Sequence, residues 1–261
     1  MLSSIFQLQS LFDLAFSKRT ELPYTHIYRD DSIPDMYSFN FTQIHSAPDQ
    51  EWIQAFIKQE LHLAKEKQLG HLKLQLHPTL PFSEELLSYA QGLGYETSVL
   101  LYMLATLDIH YEWRLHEGCR VERGESLPVV EDALTCLTRY DSAQINPAFA
   151  LRKASRKKEV YAERDIVPYV CYVGDEPIGV CDWMLHGEVV RMEEFLILDE
   201  WQRKGFGTEM IRVMMRDALN RGATHMYLTA YEDETAQDMY RKLGFVEVAR
   251  ELQLLWKKAP A

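Results

Sequence analysis

The feature that most limits what this chain can fold into is that it repeats itself. The segment GHLKLQLHPTLPFSEELLSYAQGLGYETSVLLYML, starting at Gly70, and the segment GATHMYLTAYEDETAQDMYRKLGFVEVARELQLLW, starting at Gly222, present the same signals in the same order. Each has a helix-ending Gly, an alternating strand, a loop, a short helix, a Leu-Gly-aromatic triplet and a last apolar strand. Leu93, Gly94 and Tyr95 match Leu243, Gly244 and Phe245. The match extends backward, because Trp52–Gln68 has the apolar period of a helix and stands where Thr208–Arg221 stands in the later copy. A repeat of this length means that one supersecondary unit has been built twice. Two related units are therefore expected, 1–110 and 111–261, with the boundary in LDIHYEWRLHEG, Leu107–Gly118.

The opening segment, Met1–Arg19, has Ile5, Leu8, Phe12 and Phe16 at helical spacing but no basic leader and no continuous apolar run, so it reads as a structural helix. The later copy reads as strand Cys119–Arg123, helix Leu127–Tyr140, a basic helical stretch LRKASRKKEVYAER, and strands Pro168–Val173, Ile178–Leu185 and Val189–Leu198. Tight turns at Gly174–Pro177 and His186–Glu188 make hairpins of those three strands. A helix, a strand, a short helix and a final strand complete it.

Composition removes several classes of function. With 39 acidic residues against 28 Lys plus Arg, the net charge of −11 does not supply the basic excess that draws a protein to nucleic acid or anionic lipid. No stretch approaches the roughly 18 unbroken apolar residues of a membrane helix. The four cysteines show no Cys-x-x-Cys, so reduced thiols in a cytoplasmic protein are expected. His110, His116 and Cys119 lack zinc spacing, and no metal is expected.

Two glycines one residue apart then become informative. In LDEWQRKGFGTEMIRVMM, Gly205 and Gly207 follow a strand ending at Leu198 and open a helix whose Met210, Ile211, Met214 and Leu219 lie along a core face. Backbone amides that approach a phosphate need residues without a Cβ, followed by a helix whose first N–H groups and dipole favour negative charge. A dinucleotide fingerprint would need a third Gly where Met210 stands, and no Gly-Lys-Ser/Thr closes a P-loop.

QRKGFG, Gln202–Gly207, resembles the Arg/Gln-x-x-Gly-x-Gly/Ala acyl-CoA pyrophosphate loop of the GNAT-type N-acetyltransferase superfamily. FLILDEW stands where that family has its central strand and the turn after it. Downstream, DETAQDMYRKLGF resembles the family's Asn-x-x-Ala-x-x-x-Tyr-x-x-x-Gly-Phe segment, with Ala236, Tyr240, Gly244 and Phe245 in register and Asp233 replacing Asn. The resemblance covers about Cys119–Trp256. It implies a tandem α+β fold with mixed, mostly antiparallel central sheet flanked by helices, and an N-terminal copy that has lost cofactor binding, since HSAPDQEWIQ has no glycine loop.

The resemblance further implies transfer of an acetyl group from acetyl-CoA to an amine. Amides of Phe195, Leu196 and Ile197 would hold the pantetheine and polarise the thioester carbonyl. Those of Gln202, Arg203, Lys204, Gly205, Phe206, Gly207 and Thr208 would hold the pyrophosphate, with the Arg203 and Lys204 side chains either helping or forming a solvated turn. Tyr240 is the expected acid for the departing thiolate, against packing on the sheet as the other reading. The family's usual glutamate position aligns with Arg191. Strand alternation puts Arg191, Glu193, Phe195 and Ile197 on one face and Glu194 on the other. Glu193 is the expected base, with Glu194, Asp182 or a water chain as alternatives and an Arg191–Glu193 ion pair as the structural one. RKASRKK, Arg152–Lys158, reads as a solvated helix face or a substrate-side lid. The acidic chain favours a small cationic amine as acceptor; an acyl-CoA sensor without turnover and a protein N-acetyltransferase are the competing readings. The sequence does not fix the oligomeric state.

Overall fold

The structure, a computed structural model, describes residues 1–108, 118–163 and 165–258. In chain order the elements are α1 (Leu2–Phe16), β1 (Lys18–Glu21), β2 (Thr25–Arg29), β3 (Phe41–Ile44), α2 (Gln50–Glu66), β4 (His71–Leu76), α3 (Glu84–Leu93) and β5 (Glu96–Thr106). There follow β6 (Arg120–Arg123), α4 (Leu127–Gln144), α5 (Pro147–Glu163), β7 (Ile166–Val173), β8 (Glu176–His186) and β9 (Val189–Ile197). After a single 3-10 turn at Asp199–Trp201 come α6 (Phe206–Asn220), β10 (His225–Tyr231), α7 (Ala236–Lys242) and β11 (Val246–Lys257).

These elements cluster into two compact units. The major unit takes Met1–Phe12, Met103–Thr229 and Asp238–Val246; the minor unit takes Asp13–Tyr102, Ala230–Gln237 and the chain from Glu247 onward. Each unit thus draws residues from both sides of position 110. The segment read as the boundary falls largely on 109–117, outside the described residues, as do His110 and His116.

In the minor unit β1–β2 and β2–β3 pair antiparallel, β3–β4 parallel and β4–β11 antiparallel. In the major unit β6–β7, β7–β8 and β8–β9 are antiparallel and β9–β10 is parallel. Each therefore has a mixed, mostly antiparallel sheet in an α+β arrangement, with one parallel pair joined by a crossover helix, β3–α2–β4 and β9–α6–β10. Parallel neighbours need such a crossover, which is why the helix-then-strand order recurs in the sequence. The minor core gathers Ile53, Ile57 and Leu61 of α2 on Leu72, Leu74 and Leu76 of β4 and on Leu252 and Leu254 of β11.

The Leu-Gly-aromatic triplets are helix stops of one kind. Tyr95 N–H donates to Ala90 O at 3.1 Å past Gly94 (φ 98°), and Phe245 N–H donates to Tyr240 O at 3.0 Å past Gly244 (φ 89°). These are the wide hydrogen bonds of a left-handed C-cap, and the aromatic residue that follows is buried in both copies. The crossover helices stop the same way, Leu69 N–H to Ala64 O and Ala223 N–H to Ala218 O, both 2.9 Å. Here one expectation is corrected. The left-handed residue that ends α2 is Gln68 (φ 54°), not Gly70, so Gln68 rather than Gly70 is the counterpart of Gly222.

Candidate active site

The site of the major unit is built where β9 stops being a regular strand. Asp182 faces Glu193 across the β8–β9 ladder and Val180 faces Leu196, so Glu194 and Phe195 together oppose Cys181. That is a β-bulge, one residue extra on β9, and Glu194 sits in it with φ 54°. The extra residue shifts the side-chain parity. Arg191 and Glu193 take the face of their partners Met184 and Asp182, which beyond the bulge is the face of Leu196, while Phe195 and Ile197 turn to the other. The expected single face for Arg191, Glu193, Phe195 and Ile197 is therefore wrong, because alternation holds only while the ladder is unbroken. On the other edge of β9, pairing with β10 runs from Val189 opposite His225 to Met192 opposite Leu228. Among the described residues, pairing to β10 stops there, which opens that edge of β9 from Glu193 to Ile197.

Phe195 and Ile197 meet the glycine loop. A Cβ on Gly207 would stand 3.2 Å from Phe195 Cζ and 3.5 Å from Ile197 Cγ1, so the first turn of α6 lies against β9 at a distance a larger residue would have to force. Gly205, the N-cap of α6, has φ 87° and no side-chain cap, and Arg203 ahead of it is also left-handed at 59°. Glu209 N–H, donating to Gly205 O at 3.1 Å, is the first amide the helix takes for itself. The amides ahead of it in that turn have no intrahelical acceptor and point, with the helix dipole, out of its start. Gln202 braces the loop by donating to Ile197 O and Asp199 Oδ1, both 2.9 Å. Lys204 Nζ lies 4.7 Å over the Trp201 ring, and Gln202–Gly205 are exposed.

The equivalent helix start in the minor unit is closed. Asp49 caps α2, its carboxylate accepting from Trp52 N–H at 2.7 Å. An anionic side chain thus occupies the position and the charge that a phosphate would need.

Tyr240, on α7, is buried and packs edge-on to Phe195 with ring centroids 6.4 Å apart, and to Phe245 at 6.0 Å. The structure therefore brings Gly207, Phe195 and Tyr240 together. Asp233 is exposed, just ahead of α7, in the segment that groups with the minor unit. Glu193 is half-buried; Arg191 donates to its Oε2 at 2.6 Å, and its Oε2 lies 3.5 Å from the Thr229 hydroxyl. Arg191 itself is buried, with its guanidinium 4.1 Å from the Phe12 ring.

Sequence reasoning missed the ion cluster behind the bulge. Lys153 and Lys157, in the stretch read as a solvated face, are buried at 4% and 1% exposure. They continue the inward stripe of α5 through Phe149, Ala150, Val160 and Tyr161. Lys153 bonds Asp141 (3.0 Å) and Glu194 Oε1; Lys157 bonds Asp182 and, at 2.9 Å, Glu194 Oε2. Tyr161 O–H donates to Asp182 Oδ1 at 2.5 Å. Burial alone would raise the Glu194 pKa, but the two ammonium groups outweigh it and pull the carboxyl down to about 2. Burial pulls Lys157 down, and Asp182 and Glu194 more than reverse it, leaving it well above its ordinary value. A signal was available, since an apolar helical stripe interrupted by lysines four residues apart implies buried partners of opposite charge.

A bulged strand freed along one edge, a Gly-x-Gly loop opening a crossover helix and a second unit with the same strand–helix–strand crossover define a tandem GNAT-type N-acetyltransferase fold. The comparisons agree: a family model described as FR47-like protein matches residues 170–254. The chain is 28% identical to the uncharacterized N-acetyltransferase CgeE of Bacillus subtilis (strain 168), over 91% of each protein. It superposes on a functionally unknown conserved protein from Staphylococcus epidermidis ATCC 12228 with TM-score 0.73 at 19% identity, covering 93% of this chain and 94% of that one. A tandem GNAT protein from the clavulanic acid biosynthesis pathway gives TM-score 0.53 at 11% identity, over 92% and 86%. The chain is thus similar to GNAT-type N-acetyltransferases along nearly its whole length and shares their fold in its tandem arrangement.

Proposed function

We propose that this protein transfers an acetyl group from acetyl-CoA to a small cationic amine. The observation that carries the reading is the start of α6. There an uncapped first turn behind left-handed Gly205 lies within contact of Phe195 through the missing Cβ of Gly207. Amides of Gln202–Thr208 would take the pyrophosphate, and amides of Phe195–Ile197, on the freed edge of β9, would take the pantetheine and polarise the thioester carbonyl. A thioester so polarised is open to a neutral amine. Glu193, half-exposed, would draw the proton from the incoming ammonium, and Tyr240 would supply one to the departing thiolate. The net charge of −11 favours a cationic acceptor in solution. The capped helix start of the minor unit supports the major unit as the acyl-CoA binder, and four free cysteines accord with a reducing cytoplasm.

One observation favours a second reading. Arg191 already neutralises Glu193, as a site that binds acyl-CoA without turnover would allow. Titration calorimetry with acetyl-CoA, on the parent and on the Gly205→Val, Gly207→Val double variant, tests the common part. Binding by the parent that the double variant loses is the expected result, and a parent that does not bind ends the reading. Thiol release with polyamine, aminoglycoside and peptide acceptors then separates turnover from sensing, and small amines from protein N-termini or lysines.

A further inference from the structure

Glu194 is an unusual residue to find at φ 54°. A side chain with a Cβ resists left-handed backbone, and a charged one has no local gain there that glycine lacks. What sets Glu194 apart is that each of its carboxylate oxygens is taken by a different buried lysine of α5, Oε1 by Lys153 and Oε2 by Lys157. The two lysines are one helical turn apart and are themselves anchored, Lys153 to Asp141 of α4 and Lys157 to Asp182 of β8. Those anchors already balance the lysine charges one to one. Glu194 is the third carboxylate, so charge balance alone does not require it.

We infer that Lys153 and Lys157 are positioning residues that clamp Glu194 in its left-handed conformation and so hold the β9 bulge, fixing the direction of the amides that follow it. Four elements meet at one backbone torsion: α5 supplies the grip, α4 and β8 hold the grip in place, and β9 is bent by it. Phe195, the next residue, is the one in contact with both the glycine loop and Tyr240, so the torsion at 194 sets where those groups meet. The inference rests on the acyl-CoA reading above for its functional consequence, though not for its geometry.

The test compares Glu194→Ala with Glu194→Gly in the full chain. Both abolish the clamp, both leave Lys153–Asp141 and Lys157–Asp182 in place, and they differ by one Cβ. With acetyl-CoA as donor and spermidine as amine, thiol release by Glu194→Ala should fall in kcat by about tenfold, the order of the left-handed penalty on a Cβ-bearing residue. The KM for acetyl-CoA should change by a smaller factor than kcat, because the amides of Gln202–Thr208 keep their own backbone while those of Phe195–Ile197 are re-aimed. Glu194→Gly should recover most of the lost kcat. Equal rates in the two variants, whether both low or both near the parent, overturn the inference, since only the backbone preference at 194 distinguishes them. A parent that fails to bind acetyl-CoA by calorimetry defeats the acyl-CoA reading separately. In that case, or if spermidine gives no thiol release, the three-bond HN–Hα coupling of residue 194 decides. A left-handed value in the parent that becomes extended in Glu194→Ala supports the clamp, and an unchanged value refutes it.

Discussion

Replacing Lys157 by methionine keeps most of the side-chain volume and removes one ammonium from the interior. The side chains of Lys157 and Asp182 are 1% and 0% exposed, so water cannot replace the lost partner. Among the described residues, Asp182 would keep only the Tyr161 hydroxyl, and Glu194 only Lys153. Breaking one side of a buried pair costs about 3–5 kcal/mol at neutral pH. At roughly 2–4 °C per kcal/mol for a unit of this size, melting should fall by about 6–20 °C. The pH dependence follows from Asp182, whose pKa burial already lifts above 3.8 against the pull of Lys157. Without Lys157 it rises further. A carboxyl with a folded pKa above its unfolded one holds its proton longer in the folded state, so stability is lost as pH rises through that window. The variant's deficit relative to the parent should accordingly be largest near pH 7 and shrink on acidification toward the ordinary aspartate range. Urea unfolding followed by circular dichroism at several pH values measures this, and Lys157→Met combined with Asp182→Leu should recover most of the loss. A deficit under about 1 kcal/mol, or one that does not change with pH, would refute the claim that the pair is a desolvated unit.

Tyr240→Phe preserves the ring packing on Phe195 and removes the hydroxyl; kcat for thiol release should drop about a hundredfold with acetyl-CoA affinity little changed. Unchanged kcat would leave Tyr240 as a packing residue. Asp49→Ala removes the α2 cap and should cost the protein about 1 kcal/mol in urea unfolding. No loss would mean that the carboxylate does not satisfy that helix start, and the account of why the minor unit is closed to phosphate would fail with it.

The elements that sequence reasoning recovered are those whose signal is local. Helices α2 and α6, the hairpins at Gly174 and Gly187 and the Leu-Gly-aromatic stops depend on periodicity and on residues next to one another in the chain. The glycine loop belongs to this class, since Gly205 and Gly207 state a backbone requirement directly. Three features depended on partners far away in sequence. The bulge at Glu194 carries no glycine to announce it; its left-handed torsion is held by Lys153 and Lys157, some forty residues earlier. The same two lysines read as solvated because helix burial was judged from residue type rather than from the stripe they continue. The segment boundary near 110 followed from the order of the copies. The units instead share strands: the later residues of β5, Met103–Thr106, group with the major unit and most of β11 with the minor one.

That last arrangement has a consequence for how the chain is made. Strand β11 follows every other strand in the sequence, yet Leu252 pairs with Leu76 and Trp256 with Leu72 on β4. During synthesis from the N-terminus, β4 emerges early and waits with one hydrogen-bonding edge bare while Met103–Thr229 and Asp238–Val246 of the major unit are produced. An uncovered edge flanked by Leu72, Leu74 and Leu76 is a template for pairing with another chain. Closing it requires a long loop, since Leu252 must return to Leu76, which makes this step slow and concentration-sensitive. Aggregation of nascent or refolding chains should therefore begin at β4, and a ribosome stalled before residue 246 would leave the minor unit open however well the site of the major unit had formed.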